Sequence, residues 1–166
     1  MATVLAIPVL LLLTILQTTI ASRLPLLLGT ADLVLVALVA WALQERVKNA
    51  WVWTLIGGVM ISFLSALPMY TPLIGYLIIT GIARLLQRRV WQTPLLVMFL
   101  TTLLGTVITQ GLSILVLMAS QTPINVFQAL QLVMLPSILL NLVLAIPIRA
   151  IMVDLAQWAY PVEIQT

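Results

Sequence analysis

The sequence predicts an all-α protein: a polytopic membrane bundle of six transmembrane helices with both termini cytoplasmic. Three observations predict it. Of 166 residues, 63% are hydrophobic and 7% charged, with a mean hydropathy of +1.25, whereas ordinary soluble domains carry roughly 25% charge. Apolar runs read as long enough to cross a hydrocarbon core, which takes roughly 20 helical residues, recur with short interruptions. The seven Lys and Arg residues gather between those runs, where cations set topology.

The elements follow in order. Helix 1 is expected over about 3–21. Its apolar run is long and has no basic segment before it, so it reads as a retained helix and not a signal peptide. Pro25 and Gly29 break the chain in SRLPLLLGT. Helix 2 spans about 31–44, and QERVKN is a polar turn. Helix 3 (51–67) ends at Pro68, and helix 4 (72–87) starts after PMYTP. Helix 5 takes 94–119. Helix 6 takes 129–160, longer than one crossing needs. The whole of 1–166 reads as a single integral membrane domain.

Orientation follows from the cations. With both termini inside, Arg46, Lys48, Arg84, Arg88, Arg89 and Arg149 fall on the cytoplasmic side and Arg23 alone falls outside. Arg46, Lys48, Arg88, Arg89 and Arg149 are therefore topology anchors. Arg84 lies one turn deeper, so it must snorkel or find a polar partner. Trp41, Trp51, Trp53, Trp91 and Trp158 all fall at cytoplasmic helix ends, where indole prefers the interface.

The composition excludes much chemistry. With no Cys and no His, there is no disulfide, no thiolate nucleophile, and neither the commonest metal ligand nor the commonest proton shuttle. No phosphate-binding loop, HExxH or GxSxG motif occurs. An enzyme is not expected, nor a cofactor or metal, nor nucleic-acid binding. Asp32, Asp154 and Glu163 are the residues on which a membrane enzyme could be argued.

Four polar features remain. On helix 5, Thr101, Gly105, Thr109 and Ser113 repeat every four residues as a small-residue stripe. Such a stripe admits a close neighbour, with hydroxyls bonding across the contact, either inside the bundle or to another protein. Thr102, Thr106 and Gln110 widen that face. Asp32 opens helix 2 near the outer boundary as a cap, or else pairs with Arg23 or with a cation of a partner. In the last helix, LPSILLNLVLAIPIRAIMVDL places Arg149 at the inner interface and Asp154 in cytoplasmic water. Asn141 stays near mid-membrane, one turn from Ser137, and is expected to bond a neighbouring helix or backbone broken by Pro136 or Pro147.

The order of these features resembles the MreD family, small integral membrane proteins of the bacterial rod-shape machinery. The stretches that carry the resemblance are ADLVLVALVAWAL with Asp32, WTLIGGVMISFLSALPMYTPLIGYLIITGIA with Gly57, Gly58, Ser65, Pro68 and Gly75, and LPSILLNLVLAIPI with Pro136 and Asn141. The resemblance covers most of the chain, from about residue 5 to 160. Ala31 stands where that family usually has proline, and no acid stands near Ser62 or Phe63, so no role of that acid is implied. The resemblance implies a non-catalytic scaffold in the bacterial plasma membrane. It would bind an MreC-like bitopic protein and, directly or through it, a RodA-like glycosyltransferase and a class B penicillin-binding protein, supporting peptidoglycan synthesis and cell shape. The family is also similar in fold to substrate-binding S-components of energy-coupling-factor vitamin transporters. That alternative needs an outward pocket, for which the outer loops offer Arg23, Met69, Tyr70, Thr71, Gln121, Asn125 and Gln128.

Overall fold

The computed structural model describes residues 3–21, 29–87 and 93–161. These residues are helical with no strand among them, and they form six helices: α1 (Ala6–Ala21), α2 (Leu33–Ala42), α3 (Ala50–Leu64), α4 (Tyr70–Leu86), α5 (Pro94–Ala119) and α6 (Val126–Ala159). Helices α5 and α6 are each long and apolar enough to cross a membrane.

Local chemistry sets the boundaries. Helix α2 starts at Leu33 and not at residue 31, because the Asp32 side chain turns back to accept the Leu35 amide at 2.9 Å. Helix α3 stops at Leu64, short of residue 67, where Ser65 turns extended and its hydroxyl accepts the Leu67 amide. The Ser62 hydroxyl donates to the Met69 carbonyl and ties the tip of the hairpin. Helix α4 begins at Tyr70, earlier than residue 72, since Pro72 fits a first turn that needs no amide. Helix α6 begins at Val126, where the Asn125 side-chain oxygen accepts from Phe127 and Gln128. Over Leu130–Met134 it widens into a π turn. Pro136 explains that widening, since its ring would crowd the carbonyl of Leu132 four residues back and it has no amide to offer. Helix geometry continues through Pro147.

The core is a helix wrapped in helices. All ten residues of α2 are buried, and it packs against each of the other five, most extensively against α6. A helix that is apolar on every side requires such an enclosure. Around it, α3 pairs with α4, α4 with α5 and α5 with α6, while α1 covers α2 and α3. The outer surface is oily, with Leu12, Phe63, Leu85, Leu96, Leu115, Leu139, Val143 and Ile151 all exposed. Soluble monomers rarely expose apolar patches larger than a few hundred Å². This exterior matches acyl chains.

The stripe on α5 is an internal seam. A Cβ built on Gly75 would come within 2.8 Å of the Thr109 methyl, and one on Gly105 within 2.9 Å of Ile79. Helices α4 and α5 therefore touch nearly backbone to backbone. The hydroxyls do not bond across that contact as expected. Thr101, Thr109 and Ser113 instead donate to the carbonyls of Val97, Gly105 and Thr109 on their own helix. In an apolar surround the carbonyl four residues back is the nearest acceptor, so this seam is held by shape.

The tryptophans divide. Trp41 and Trp53 are fully buried and stack at 4.1 Å, because position 41 of an enclosed helix has no outward side. Trp51 and Trp158 are exposed, and Trp91 lies outside the described residues. At the same end of the bundle, Arg84 donates to the Val47 carbonyl and to the Gln87 side chain, which in turn donates to the Gln44 carbonyl. The deep arginine thus closes the turn after α2.

Candidate functional site

Helix α2 has ten residues, about 15 Å at 1.5 Å per residue, and its N-terminus opens inside the bundle, among side chains of α1, α4 and α6. The first amides of a helix have no partner within it, and in a dry interior each must be met by a side chain.

Three other elements supply those groups. From α6, the Asn141 side-chain oxygen accepts the Asp32 amide at 2.8 Å, and the Ser137 hydroxyl accepts the Thr30 amide at 3.1 Å. From α1, the Gln17 side-chain oxygen accepts the Val34 amide at 3.3 Å. Asp32 itself takes the Leu35 amide. The Asn141 amide also donates to the Thr106 hydroxyl of α5 at 2.9 Å. From α4, the Tyr76 hydroxyl lies 2.8 Å from both carboxylate oxygens of Asp32 and donates to them.

The approach is tight at Gly29. A Cβ there would fall 2.5 Å from the Pro136 Cβ and 2.9 Å from the Ser137 amide nitrogen. Only a residue without a side chain lets this segment lie against α6. The adjoining bonds from Ser137 and Asn141 depend on that fit.

On one side this polar centre opens to a cavity of about 120 Å³ lined by Asp32, Ile61, Ser65, Leu67, Pro72, Tyr76, Thr109, Gln110 and Ser113. The cavity lies between the α3–α4 connection and the second half of α5. Asp32 is only partly buried and borders it.

Of the residues singled out from sequence, Asp32, Asn141 and Ser137 converge on this centre, and Thr109 and Ser113 wall the cavity. Thr101 and Gly105 lie along the α5 seam, away from the cavity lining. Arg84 closes the far end of α2. Arg46 and Lys48 are set at the turn after α2, Arg46 exposed, and Arg149 is half-buried, while Arg88 and Arg89, like Arg23, fall outside the described residues. Asp32 caps α2 through the Leu35 amide and also meets the Tyr76 hydroxyl.

Sequence reasoning misses Tyr76 and Gln17. The available signal is a large polar-tipped side chain, Tyr76 or Gln17, inside each of two mostly apolar runs, GYLIIT and ILQTTI. Such groups are expected to find partners when buried.

Tyr76→Phe keeps the ring and removes the hydroxyl that bridges both Asp32 oxygens. A loss on the order of 1–3 kcal/mol is expected for a carboxyl group stripped of that donor. A thermal midpoint in mild detergent equal to that of the unaltered protein would refute this assignment.

No protein-family model, curated protein or solved structure matches the chain.

Proposed function

We propose that the chain crosses the bacterial plasma membrane six times with both termini cytoplasmic and acts as a non-catalytic scaffold of the cell-elongation machinery. It binds an MreC-like bitopic protein and, directly or through it, a RodA-like glycosyltransferase and a class B penicillin-binding protein. The resemblance to the MreD family gives this reading its partners. The observation that carries it is an apolar groove of about 330 Å³ between α1 and α6, walled by Pro8, Leu12, Leu16, Ile148, Ile151 and Leu155.

The groove runs along two helices and presents no polar side chain on either wall, which suits the side chains of one further membrane helix. The orientation is supported by the common end shared by Arg46, Lys48 and Arg84 with the last turns of α6, since Gln44, Glu45 and Arg46 face Val153, Ala156 and Gln157 there. Cations gathered at one end of a membrane bundle mark the cytoplasmic side.

Leu12→Trp with Ile151→Trp fills the groove from both walls and leaves the core untouched, since both positions are exposed. Co-purification in mild detergent is expected to retain an MreC-like partner with the unaltered chain and to lose most of it with the double variant. Equal recovery of the partner with both would reject the groove as its seat. Failure of the unaltered chain to retain it would reject the scaffold reading itself.

The cavity beside Asp32 is the one feature that favours the S-component alternative. Its volume of about 120 Å³ falls below the roughly 300–1,000 Å³ of sites that enclose drug-sized ligands. Size thus favours the scaffold.

A further inference from the structure

We propose that the cavity beside Asp32 binds a small monovalent cation, either an inorganic ion or a primary ammonium group. The inference goes beyond the scaffold reading and stands or falls separately from it.

The hydrogen inventory of the lining decides the sign of the ligand. Thr109 and Ser113 spend their hydroxyl hydrogens on carbonyls of α5, and Tyr76 spends its own on Asp32. Their oxygen lone pairs are what they can still offer. Asp32 contributes carboxylate oxygens, and the Gln110 side chain, which bonds no other described residue, can turn its oxygen inward. The Ser65 hydroxyl, which accepts the Leu67 amide, and the Gln110 amide group keep donors, but oxygen acceptors from five side chains, Asp32, Tyr76, Thr109, Gln110 and Ser113, outnumber them around one space, which favours a ligand that is a donor or a cation.

The charge balance agrees. The end of α2 supplies roughly half a positive charge, and its amides are already occupied by Asp32, Asn141 and Gln17. With Asp32 ionised, the site is left about half a unit negative, and no cationic side chain meets Asp32 among the described residues. A single carboxylate amid neutral oxygens suits a monovalent ion better than a divalent one, which usually recruits more carboxylates. Groups of three or more acidic residues that could hold a metal are absent among the described residues.

The space fits as well. A volume of about 120 Å³ is several times the roughly 10–15 Å³ needed for one water, enough for an ion with retained waters or for an ammonium on a short stem. Ile61, Leu67 and Pro72 would flank such a stem.

The test is thermal unfolding of the full chain in mild detergent, exchanged into choline chloride and titrated with sodium, potassium or methylammonium chloride at constant ionic strength. At a hundredfold excess over the dissociation constant, the midpoint is expected to rise by roughly 5 °C or more relative to choline. A rise with sodium or potassium identifies an inorganic ion, and a rise with methylammonium alone identifies an amine. Asp32→Asn keeps a cap acceptor but is expected to lose the rise. Since that variant can also disturb the α2 cap, the double variant Gln110→Leu with Ser113→Ala supplies the second reading, expected to fold normally in choline and to lose the rise. No cation-specific rise in the unaltered chain overturns the proposal. So does a rise that survives in the double variant.

Discussion

Asn141→Leu is expected to destabilise the bundle by roughly 2–3 kcal/mol, because it leaves the Asp32 amide without its side-chain acceptor. Two bonds are lost at once, from the Asp32 amide and to Thr106. The first weighs more, since Thr106 still donates its own hydroxyl hydrogen to Thr102. Hydrogen bonds between membrane helices average only about 0.6 kcal/mol in double-mutant cycles. The larger figure is expected here because the orphaned group is backbone at the start of a fully enclosed helix, with few conformations that could re-pair it. Arg149→Lys keeps the charge at a half-buried position and is expected to change stability by less than about 0.5 kcal/mol. Equilibrium unfolding of both variants in mixed micelles checks the contrast, and equal losses would contradict it.

Gly29→Val should be worse. Its Cβ would meet the Pro136 ring at 2.5 Å, the Ser137 amide nitrogen at 2.9 Å and the Pro136 carbonyl carbon at 3.1 Å. A proline ring and helix backbone cannot rotate aside, so the loss is expected at or above the upper end of the usual 1–3 kcal/mol or so for overpacking. It would also pull the Thr30 amide from Ser137. The matched control is Gly111→Ala, where nothing lies within 4 Å of the added carbon. There the gain in helix propensity, up to about 1 kcal/mol, should appear as a higher midpoint. If the two substitutions behave alike, close approach at Gly29 is not what shapes this centre.

The helices are legible in the sequence because apolar run length and proline position are local signals, and Thr93 followed by Pro94 marks the start of α5 as plainly as Pro68 marks the approach to α4. The small-residue stripe is legible as a seam, while the direction of its hydroxyls is not. Sequence spacing shows which side chains share a face but not which acceptor each one takes. Asn141 stands out because a carboxamide in mid-run must bond something. That its partner is the amide of Asp32, 109 residues away, depends on where α2 starts, and that start is set by one capping side chain. The Trp41–Trp53 stack escapes the sequence for a related reason. Composition puts both rings at a membrane boundary, and only the enclosure of α2 puts them inside it.

That enclosure has a consequence for how the chain is made. Helix α2 leaves the ribosome early, and the acceptor for the Asp32 amide follows 109 residues later, about 5–20 s at ordinary elongation rates. For that interval α2 waits with its leading amides lacking the α6 side chains that will close them. A chain cut before Asn141 would stay in that condition. The polar centre is thus completed by the last helix, and the nascent protein is most vulnerable to proteolysis just before that final segment arrives.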